Sequence, residues 1–226
     1  MTVNTLIIQF KNQIPRESIP LFRGAIVAAA GEDCSVLYHN HDGDNYRYVY
    51  PMIQYKTLGT RATIVCVEEG CNAINELFNN SNFQLRLGSS SCQKFEIETL
   101  LPIQTPISIT DKEIYYHIEN WLPLTPQNYQ WYKQHDSLIE RTGLLERILI
   151  GNILSACKGL GITIEEKICC QIVQLSFPRQ AKHKNTPILE FDAEFKCNIS
   201  LPEYIGLGKG ASLGHGTIYM IDKKTL

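Results

Sequence analysis

The chain has 226 residues, of which 44% are hydrophobic and 19% are charged, and its formal net charge is −2. These proportions are ordinary for a folded protein and exclude a chain that is mainly disordered. The small net charge excludes a protein that binds nucleic acid through a strongly basic overall surface, but it leaves room for a local basic groove.

The first hundred residues show the order of elements that is typical of ferredoxin-like and RNA-recognition-motif-like domains. Hydrophobic periodicity predicts, in chain order, strand 5–10, helix 19–30, strands 46–56 and 61–68, helix 71–78, and strands 83–87 and 94–101. Ser18 is placed to cap the first helix, and Gly31 is placed to end it. The β-α-β-β-α-β order therefore predicts an α+β fold with an antiparallel sheet.

Two prolines, Pro102 and Pro106, mark the predicted boundary between this domain, residues 1–101, and a second domain, residues 102–226. The second domain is predicted to contain strand 114–121, a helical region at 125–158, and strands 167–177, 189–199 and 217–221. This order predicts a second ferredoxin-like unit in tandem with the first, again with an antiparallel sheet.

The helical region of the second domain begins with a favourable cap at Thr125, and Gly143 is a candidate for dividing it into two helices. Residues 189–199 show the strictest alternation in the chain, with an apolar side chain at every second position. One face of this strand is therefore predicted to be buried and the other to face water.

The eight cysteines show none of the paired spacings that bind zinc, and the sequence contains no Cys-x-x-Cys pair. We expect them to be reduced and mostly buried, as in a cytoplasmic protein. The apolar stretch at residues 6–8 is too short for a signal sequence or a membrane span. The sequence therefore predicts a cytoplasmic location and no membrane association, and the cysteines predict no zinc site.

A glycine-rich segment at residues 206–216 contains Gly206, Gly208, Gly210, Gly214 and Gly216. Such a segment can bring backbone N–H groups close to a ligand and form an anion-binding nest for phosphate. A Walker loop would require Lys209 to be followed by Ser or Thr and a helix, and a dinucleotide-binding loop would require a full βαβ unit. The alternative is a glycine-rich connection between two strands.

A second candidate site is the pair His39 and His41, which is followed by Tyr46 and Tyr48. In a strand, residues two apart face the same way at about 6.6 Å, so both imidazoles can flank one phosphate. One imidazole can take the proton of an RNA 2′-hydroxyl while the other protonates the leaving 5′-oxygen. A tyrosine can hydrogen-bond the phosphate or position a histidine.

Two other interpretations of the histidine pair stay open on these residues alone. His-x-His is also a metal-ligand spacing, but Gly43 and Asp44 stand where a metallo-β-lactamase-like pattern would continue with Asp and His. The histidines can also belong to a surface loop without a catalytic role.

A basic segment at residues 178–187 connects two predicted strands and contains Arg179, Lys182 and Lys184. Such a hairpin tip can lie along an RNA backbone or in an RNA groove. The alternative is a solvated loop without a binding role.

The pattern Gly-hydrophobic-Gly, five residues, Gly-x-Gly in residues 206–216 resembles the signature loop of the CRISPR-associated repeat-RNA endoribonucleases. These enzymes belong to the repeat-associated mysterious protein superfamily. Residues 50–56, 150–154 and 201–205 also resemble this family, in the same order along the chain. The resemblance is strongest to the branch that occurs with type I-B systems.

This resemblance implies tandem ferredoxin-like domains and an enzyme that cleaves CRISPR repeat precursor RNA without a metal. Attack by the 2′-hydroxyl would give a 2′,3′-cyclic phosphate and a 5′-hydroxyl. The catalytic positions of this branch fall on His39, His41 and Tyr48, with Tyr46 as the alternative tyrosine. The implied partners are the repeat RNA and other CRISPR effector-complex subunits, and a homodimer is left open. The alternative function is a noncatalytic subunit that binds guide RNA.

The resemblance also places RNA on the glycine-rich loop. Candidate RNA-binding residues are Gly206, Gly208, Lys209, Gly210, Gly214, His215 and Gly216 of the loop, with Arg179, Lys182 and Lys184 of the basic segment. The family usually has a hydrophobic residue at the position of His215, which is therefore either a third histidine near the phosphate or a loop substitution. Some relatives carry a catalytic lysine before the histidines, but residues 31–33 contain none.

Overall fold

A computed structural model of the protein describes residues 1–31, 34–38, 41–42, 45–46, 50–183 and 186–222, with residues 41, 42, 45, 46, 182, 183 and 186 described by backbone alone. The chain forms two compact units. The N-terminal unit comprises Thr2–Thr105 and Ser212–Gly214, and the C-terminal unit comprises Met1, Pro106–Ala211 and His215–Leu226. No helix within the described ranges is long and apolar enough to cross a membrane.

The N-terminal unit is a ferredoxin-like sheet with helices. Its elements are β1 (Thr2–Gln13), α1 (Ile19–Ala30), β2 (His41–Asp42), β3 (Asn45–Tyr46), β4 (Ile53–Leu58), β5 (Arg61–Val67), α2 (Glu69–Ala73), α3 (Asn75–Asn80), β6 (Gln84–Leu85), β7 (Gln93–Lys94) and β8 (Ile97–Pro106). The main sheet has the order β4-β5-β1-β8, and β5 pairs antiparallel with both β1 and β4. This is the strand order expected for a β-α-β-β-α-β unit.

Aromatic side chains fill the core of this unit. The rings of Phe10 on β1 and Phe22 on α1 meet edge to face at 5.9 Å, and Phe22 stacks on Phe95 at 5.7 Å. All three are fully buried. Each such pair contributes about 0.5–1.5 kcal/mol beyond its buried area, so these contacts fix α1 against the sheet.

Two local predictions in the N-terminal unit were wrong. Ser18 makes no side-chain hydrogen bond to α1, because it already has helical backbone angles as the last residue of a preceding 3-10 turn. The helix predicted at 71–78 is interrupted at Ile74 and forms the short helices α2 and α3.

The C-terminal unit repeats the same strand order with fewer helices. Its elements are β9 (Ile109–Trp121), α4 (Pro126–Gln134), α5 (Leu138–Gly159), β10 (Cys170–Leu175), β11 (Arg179–His183), β12 (Thr186–Ile199) and β13 (Thr217–Met220). The sheet has the order β10-β12-β9-β13, and β11 pairs with the first part of β12. The predicted fold class, two ferredoxin-like α+β units with antiparallel sheets, is therefore confirmed. Along the chain, the glycine-rich segment between β12 and β13 takes the place of the second crossover helix of the fold.

The helical region of this unit divides at a different place from the one predicted. Thr125 caps α4 as expected, since its side chain accepts a hydrogen bond from Asn128 N–H. Gly143 lies inside α5 and divides nothing. The break falls just before Ser137, whose side chain accepts from Glu140 N–H and begins α5.

The basic segment is a hairpin arm and not merely a connection between strands. Arg179–His183 is itself the strand β11, and it pairs antiparallel with residues 186–190 of β12. β12 therefore begins at Thr186, three residues before the predicted start. It exchanges its partner from β11 to β10 between Glu190 and Ala193.

Candidate nucleic-acid interface

The glycine-rich loop, residues 206–216, connects β12 to β13 and is closed by its own backbone. Leu207 N–H donates to the Gly216 carbonyl oxygen at 2.8 Å, and His215 N–H donates to the Gly210 carbonyl oxygen at 3.3 Å. These two bonds hold the ends of the loop together. They also fix the conformation of the residues between them.

Gly208 and Gly216 are two of the positions at which this loop requires glycine. Gly208 has φ +82°, and a Cβ there would lie 2.5 Å from Oδ1 of Asn152 on α5. That oxygen already accepts a hydrogen bond from Trp121 Nε1 at 2.9 Å, so it cannot easily move away. Gly216 has φ +64°, and a Cβ there would clash with the carbonyl group of Leu207. The loop therefore depends on both positive φ and the absence of a side chain.

The centre of the loop shows the alternation of φ signs that is typical of an anion-binding nest. Gly208 and Gly210 have φ values of +82° and +75°, whereas Lys209 between them does not lie in the left-handed region. Alternating backbone handedness points successive N–H groups toward one side. In the part of the chain that the structure describes, no backbone carbonyl accepts the N–H groups of these three residues. The exposed Lys209 side chain adds a positive charge at the same place.

His215 fastens the end of the loop to the sheet. Its Nδ1 atom lies 3.2 Å from the Asn120 carbonyl oxygen and 3.2 Å from Oε2 of Glu190. Because a carbonyl oxygen only accepts hydrogen bonds, Nδ1 carries the hydrogen. The His215 side chain is 14% exposed and that of Glu190 is 3% exposed. Gly216 N–H donates to the same Asn120 oxygen at 3.2 Å, so one carbonyl group holds two loop residues.

Arg179, a predicted RNA-binding residue, is bound by two carboxylates. Its Nη2 atom donates to Asp192 Oδ1 at 2.9 Å, to Glu190 Oε1 at 3.3 Å and to Asn120 Oδ1 at 3.3 Å. Its Nη1 atom also donates to Asp192 Oδ2. A phosphate would have to compete with these acidic groups for the guanidinium.

The pKa shifts of this cluster agree with strong pairing. Hydrogen bonding to Asp192 raises the pKa of Arg179 above its already high ordinary value. Burial alone would raise the pKa of Asp192, but hydrogen bonds from Arg179 and from Asn120 N–H hold it below the usual range. Both groups are therefore charged at neutral pH, and their charges balance locally.

The other basic candidates are described less fully. Lys182 lies on β11 opposite Pro187, and of Lys182 only the backbone is described. Lys184 lies outside the described residues. Among the predicted phosphate-binding lysines, Lys209 is therefore the one whose side chain the structure describes, and that side chain is exposed.

The histidine pair is described only in part. His41 pairs with Tyr46 across the two-stranded ribbon of β2 and β3. The side chains of His41 and Tyr46 are not described, and His39 and Tyr48 lie outside the described residues. Their catalytic roles therefore stay predictions.

A buried lysine that the sequence did not single out lies in the N-terminal unit. Lys56 is 1% exposed, and its Nζ atom donates to Gln54 Oε1 at 3.0 Å. Burial lowers the pKa of Lys56 to about 7. Both residues lie on the sheet face opposite Ile53 and Tyr55, as the strand alternation requires. A Cβ at Gly214 would lie 3.3 Å from the Lys56 Cβ, so this face is closely packed.

Sequence reasoning missed the acidic residues that hold the loop. Glu190 and Asp192 fit the water-facing half of the alternating pattern in β12, yet Glu190 is 2% exposed. Nothing in that pattern distinguishes a buried carboxylate from an exposed one. Asn152 lies in residues 150–154, one of the segments that resemble the family. Its close approach to Gly208 gives this segment a structural role beside the loop.

Comparison with known proteins agrees with this architecture in both halves of the chain. Residues 1–101 match the Cas6b N-terminal domain, and residues 108–221 match the Cas6b C-terminal domain. The chain belongs to the Cas6b family. The resemblance inferred from the glycine-rich loop is thereby confirmed.

Solved structures of Cas6b are similar over nearly the whole chain. One crystal structure of Cas6b is 28% identical and has a TM-score of 0.86, covering 98% of this chain and 100% of that chain. A second, of the CRISPR RNA processing endoribonuclease Cas6b, is also 28% identical with the same coverage and a TM-score of 0.74. A more distant Cas6 product complex, at 12% identity and a TM-score of 0.56, shares the fold.

A curated relative matches about half of this Cas6b-family chain. Protein MJ0978 of Methanocaldococcus jannaschii is 35% identical over 109 residues, which is 48% of this chain and 73% of that protein.

Proposed function

We propose that this protein is an endoribonuclease that cleaves CRISPR repeat precursor RNA. The observation that carries the proposal is that both halves of the chain match Cas6b, and one solved relative is a CRISPR RNA processing endoribonuclease. The repeat RNA is the proposed partner. Association with other CRISPR effector subunits, a homodimer and a cytoplasmic location stay predictions.

The proposed chemistry uses the RNA's own ribose as nucleophile. The 2′-oxygen bonds to the adjacent phosphorus as its proton passes to one histidine, and the bond to the 5′-oxygen breaks as the other histidine protonates it. The products are a 2′,3′-cyclic phosphate and a 5′-hydroxyl. His39 and His41 are the proposed acid and base in either order, and Tyr48, or alternatively Tyr46, is the proposed phosphate or histidine partner.

The glycine-rich loop supports the binding half of this proposal. Three successive N–H groups at residues 208–210 and the Lys209 ammonium form a site of the kind that holds phosphate. Such contacts to a phosphate are independent of base identity and position the strand. In the proposal, this loop holds the RNA while the histidines act on one linkage.

The test is a comparison of cleavage with binding. The wild-type protein and the variants His39→Ala and His41→Ala are incubated with the repeat RNA encoded beside the gene. We expect each variant to cleave about 10²–10⁴-fold more slowly, since that is the usual contribution of a positioned acid or base, while affinity changes little. The matched control is His135→Ala, whose ring stacks on Trp131 in α4 and lies outside the proposed chemistry.

Two results would overturn the proposal. One is a wild-type protein that binds the repeat RNA without cutting it, which would identify a noncatalytic guide-RNA-binding subunit. The other is an equal loss of binding and cleavage in the histidine variants, which would remove their catalytic role.

A further inference from the structure

A cavity of about 340 Å³ lies in the C-terminal unit beside the glycine-rich loop. Three segments line it: the start of α4, the hairpin of β11 and β12, and the centre of the loop. The lining residues are Leu124, Thr125, Pro126, Tyr129, Gln130, Gln180, Pro187, Ile188, Leu189 and Lys209. Its volume is at the lower end of the range of pockets that hold small molecules.

The chemistry of the lining suits a flat, mainly apolar group that carries polar edges. Ile188 and Leu189 are half-buried and offer an apolar wall, and Tyr129 offers an aromatic face. Gln130 and Gln180 also line the cavity and are exposed, and each amide side chain can both donate and accept hydrogen bonds. This combination of stacking surface and paired donors and acceptors is the one that recognises an unstacked base.

The charge of the lining favours an anionic ligand. Lys209 is the one charged residue among the described residues that line the cavity. A second cation is near, because Lys133 Nζ lies 5.6 Å from the centre of the Tyr129 ring. A nucleotide combines the aromatic body and the negative charge that these groups would attract.

We propose that this cavity receives one unstacked base of the bound RNA. The geometry that points to it is the position of Lys209, which belongs both to the nest at residues 208–210 and to the cavity wall. A phosphate held on the nest places the base of the same or the adjoining nucleotide beside Tyr129. The inference rests on the proposed function, because it takes RNA as the ligand.

A base bound in this cavity would let the protein recognise the RNA sequence in addition to binding phosphates. Amides at residues 208–210 bind phosphate whatever the base, whereas Gln130 and Gln180 can distinguish hydrogen-bonding edges. The base that enters the cavity would therefore help select which linkage of the repeat is presented for cutting.

The experiment is an abasic scan of the repeat RNA combined with variants of the cavity. The RNA carries a deoxyribose at the scissile nucleotide to prevent cleavage, and each nucleotide in turn is made abasic. Affinities are measured for the wild type, Tyr129→Leu, Gln130→Ala and Gln127→Ala. Gln127 lies on α4, is exposed and does not line the cavity, so it is the matched control.

We expect one abasic position to weaken wild-type binding by about 5- to 100-fold, the usual effect of losing one stacked base. Tyr129→Leu should weaken binding of intact RNA by a similar factor. Tyr129→Leu should bind that abasic RNA as tightly as it binds intact RNA. The reason is that the abasic site and the leucine each remove the same interaction, so their effects do not add. Gln130→Ala should show the same non-additivity in smaller measure, and Gln127→Ala should behave as the wild type.

Additive losses at every position, or Tyr129→Leu binding with wild-type affinity, would overturn the inference and leave the cavity to a protein partner. Circular dichroism and thermal unfolding of each variant verify that it is folded. The scan measures binding alone. If the scan shows the predicted non-additivity but the wild type never cuts the unmodified repeat RNA, the base pocket is supported and the proposed enzyme is refuted.

Discussion

His215 Nδ1 lies 3.2 Å from Glu190 Oε2, and this contact joins the last turn of the glycine-rich loop to a buried carboxylate on β12. The other oxygen of the same carboxylate accepts from Arg179 Nη2 at 3.3 Å. One acidic side chain therefore connects the basic hairpin with the loop. The shape of the proposed phosphate site depends on a residue that does not itself touch the nest.

Glutamine has the size and shape of glutamate, but Glu190→Gln should destabilise this arrangement. An amide donates with its nitrogen, so it cannot accept from both Arg179 and His215, and one of the two charge-assisted contacts to this side chain is lost. The unfolding free energy should fall by about 1–3 kcal/mol, as measured by urea unfolding. Glu194→Gln, the same change on the same strand, is the control. Equal stability of the two variants would show that Glu190 does not hold the loop.

Gly208→Ala should disrupt the loop, because it combines a strained φ with a contact to Asn152 Oδ1. We expect a loss of unfolding free energy of at least about 1–2 kcal/mol and weaker binding of the repeat RNA. The control is Gly151→Ala in α5, where a new Cβ meets no atom within 4 Å. That variant should gain about 0.5–1 kcal/mol from helix propensity. The prediction is wrong if both alanines behave alike in thermal unfolding and RNA binding.

The buried Lys56 predicts a specific dependence of stability on pH. Its pKa is about 7 in the folded protein against an ordinary 10.5, so between these values the unfolded chain holds a proton that the folded chain lacks. The unfolding free energy contributed by this group therefore rises with pH across that window, by about 1.4 kcal/mol per pH unit. Below pH 7 the contribution is constant.

Lys56→Met should abolish this slope and be more stable than the wild type near neutral pH. Urea unfolding at pH 7.5 and pH 9.5 measures the difference. The exposed Lys94→Met serves as control and should follow the wild-type dependence. Parallel curves for wild type and Lys56→Met would mean that Lys56 is not titrating in that window.

Replacing Lys209 and replacing Arg179 by alanine should affect RNA binding differently, although the sequence predicted both residues as phosphate contacts. Lys209→Ala should lower the slope of log affinity against log salt by about 0.7–0.9, as expected for one lost phosphate contact. Arg179→Ala should change that slope little, because Asp192 and Glu190 already balance its charge, and should instead lower the thermal midpoint. Identical salt slopes for Lys209→Ala and wild type would remove Lys209 from the binding site.

The fold was predictable where local periodicity and burial agree. In β12, Phe191, Ala193 and Phe195 alternate with polar residues and are buried as the period of two requires. The start of α4 was predictable because Thr125 provides its own capping group. Such features depend on neighbouring residues in sequence, which a single sequence displays.

The missed features depend on partners distant in sequence. β11 is polar and owes its strand structure to pairing with β12, so its own residues gave no strand signal. The buried Glu190 is explained by His215, 25 positions away in sequence. The break before α5 did have a local signal, because Ser137 is followed three residues later by Glu140, as in a capping box. The prediction placed the break at Gly143 instead.

The most direct test of the central claim uses the repeat RNA with a single deoxyribose at the scissile nucleotide, in a buffer containing EDTA. The unmodified RNA should be cut at one site to a 2′,3′-cyclic phosphate and a 5′-hydroxyl, while the modified RNA should bind with unchanged affinity and remain intact. Cutting of the deoxyribose RNA at that site would contradict attack by the ribose on its own phosphate, and loss of all cutting in EDTA would contradict a reaction that needs no metal.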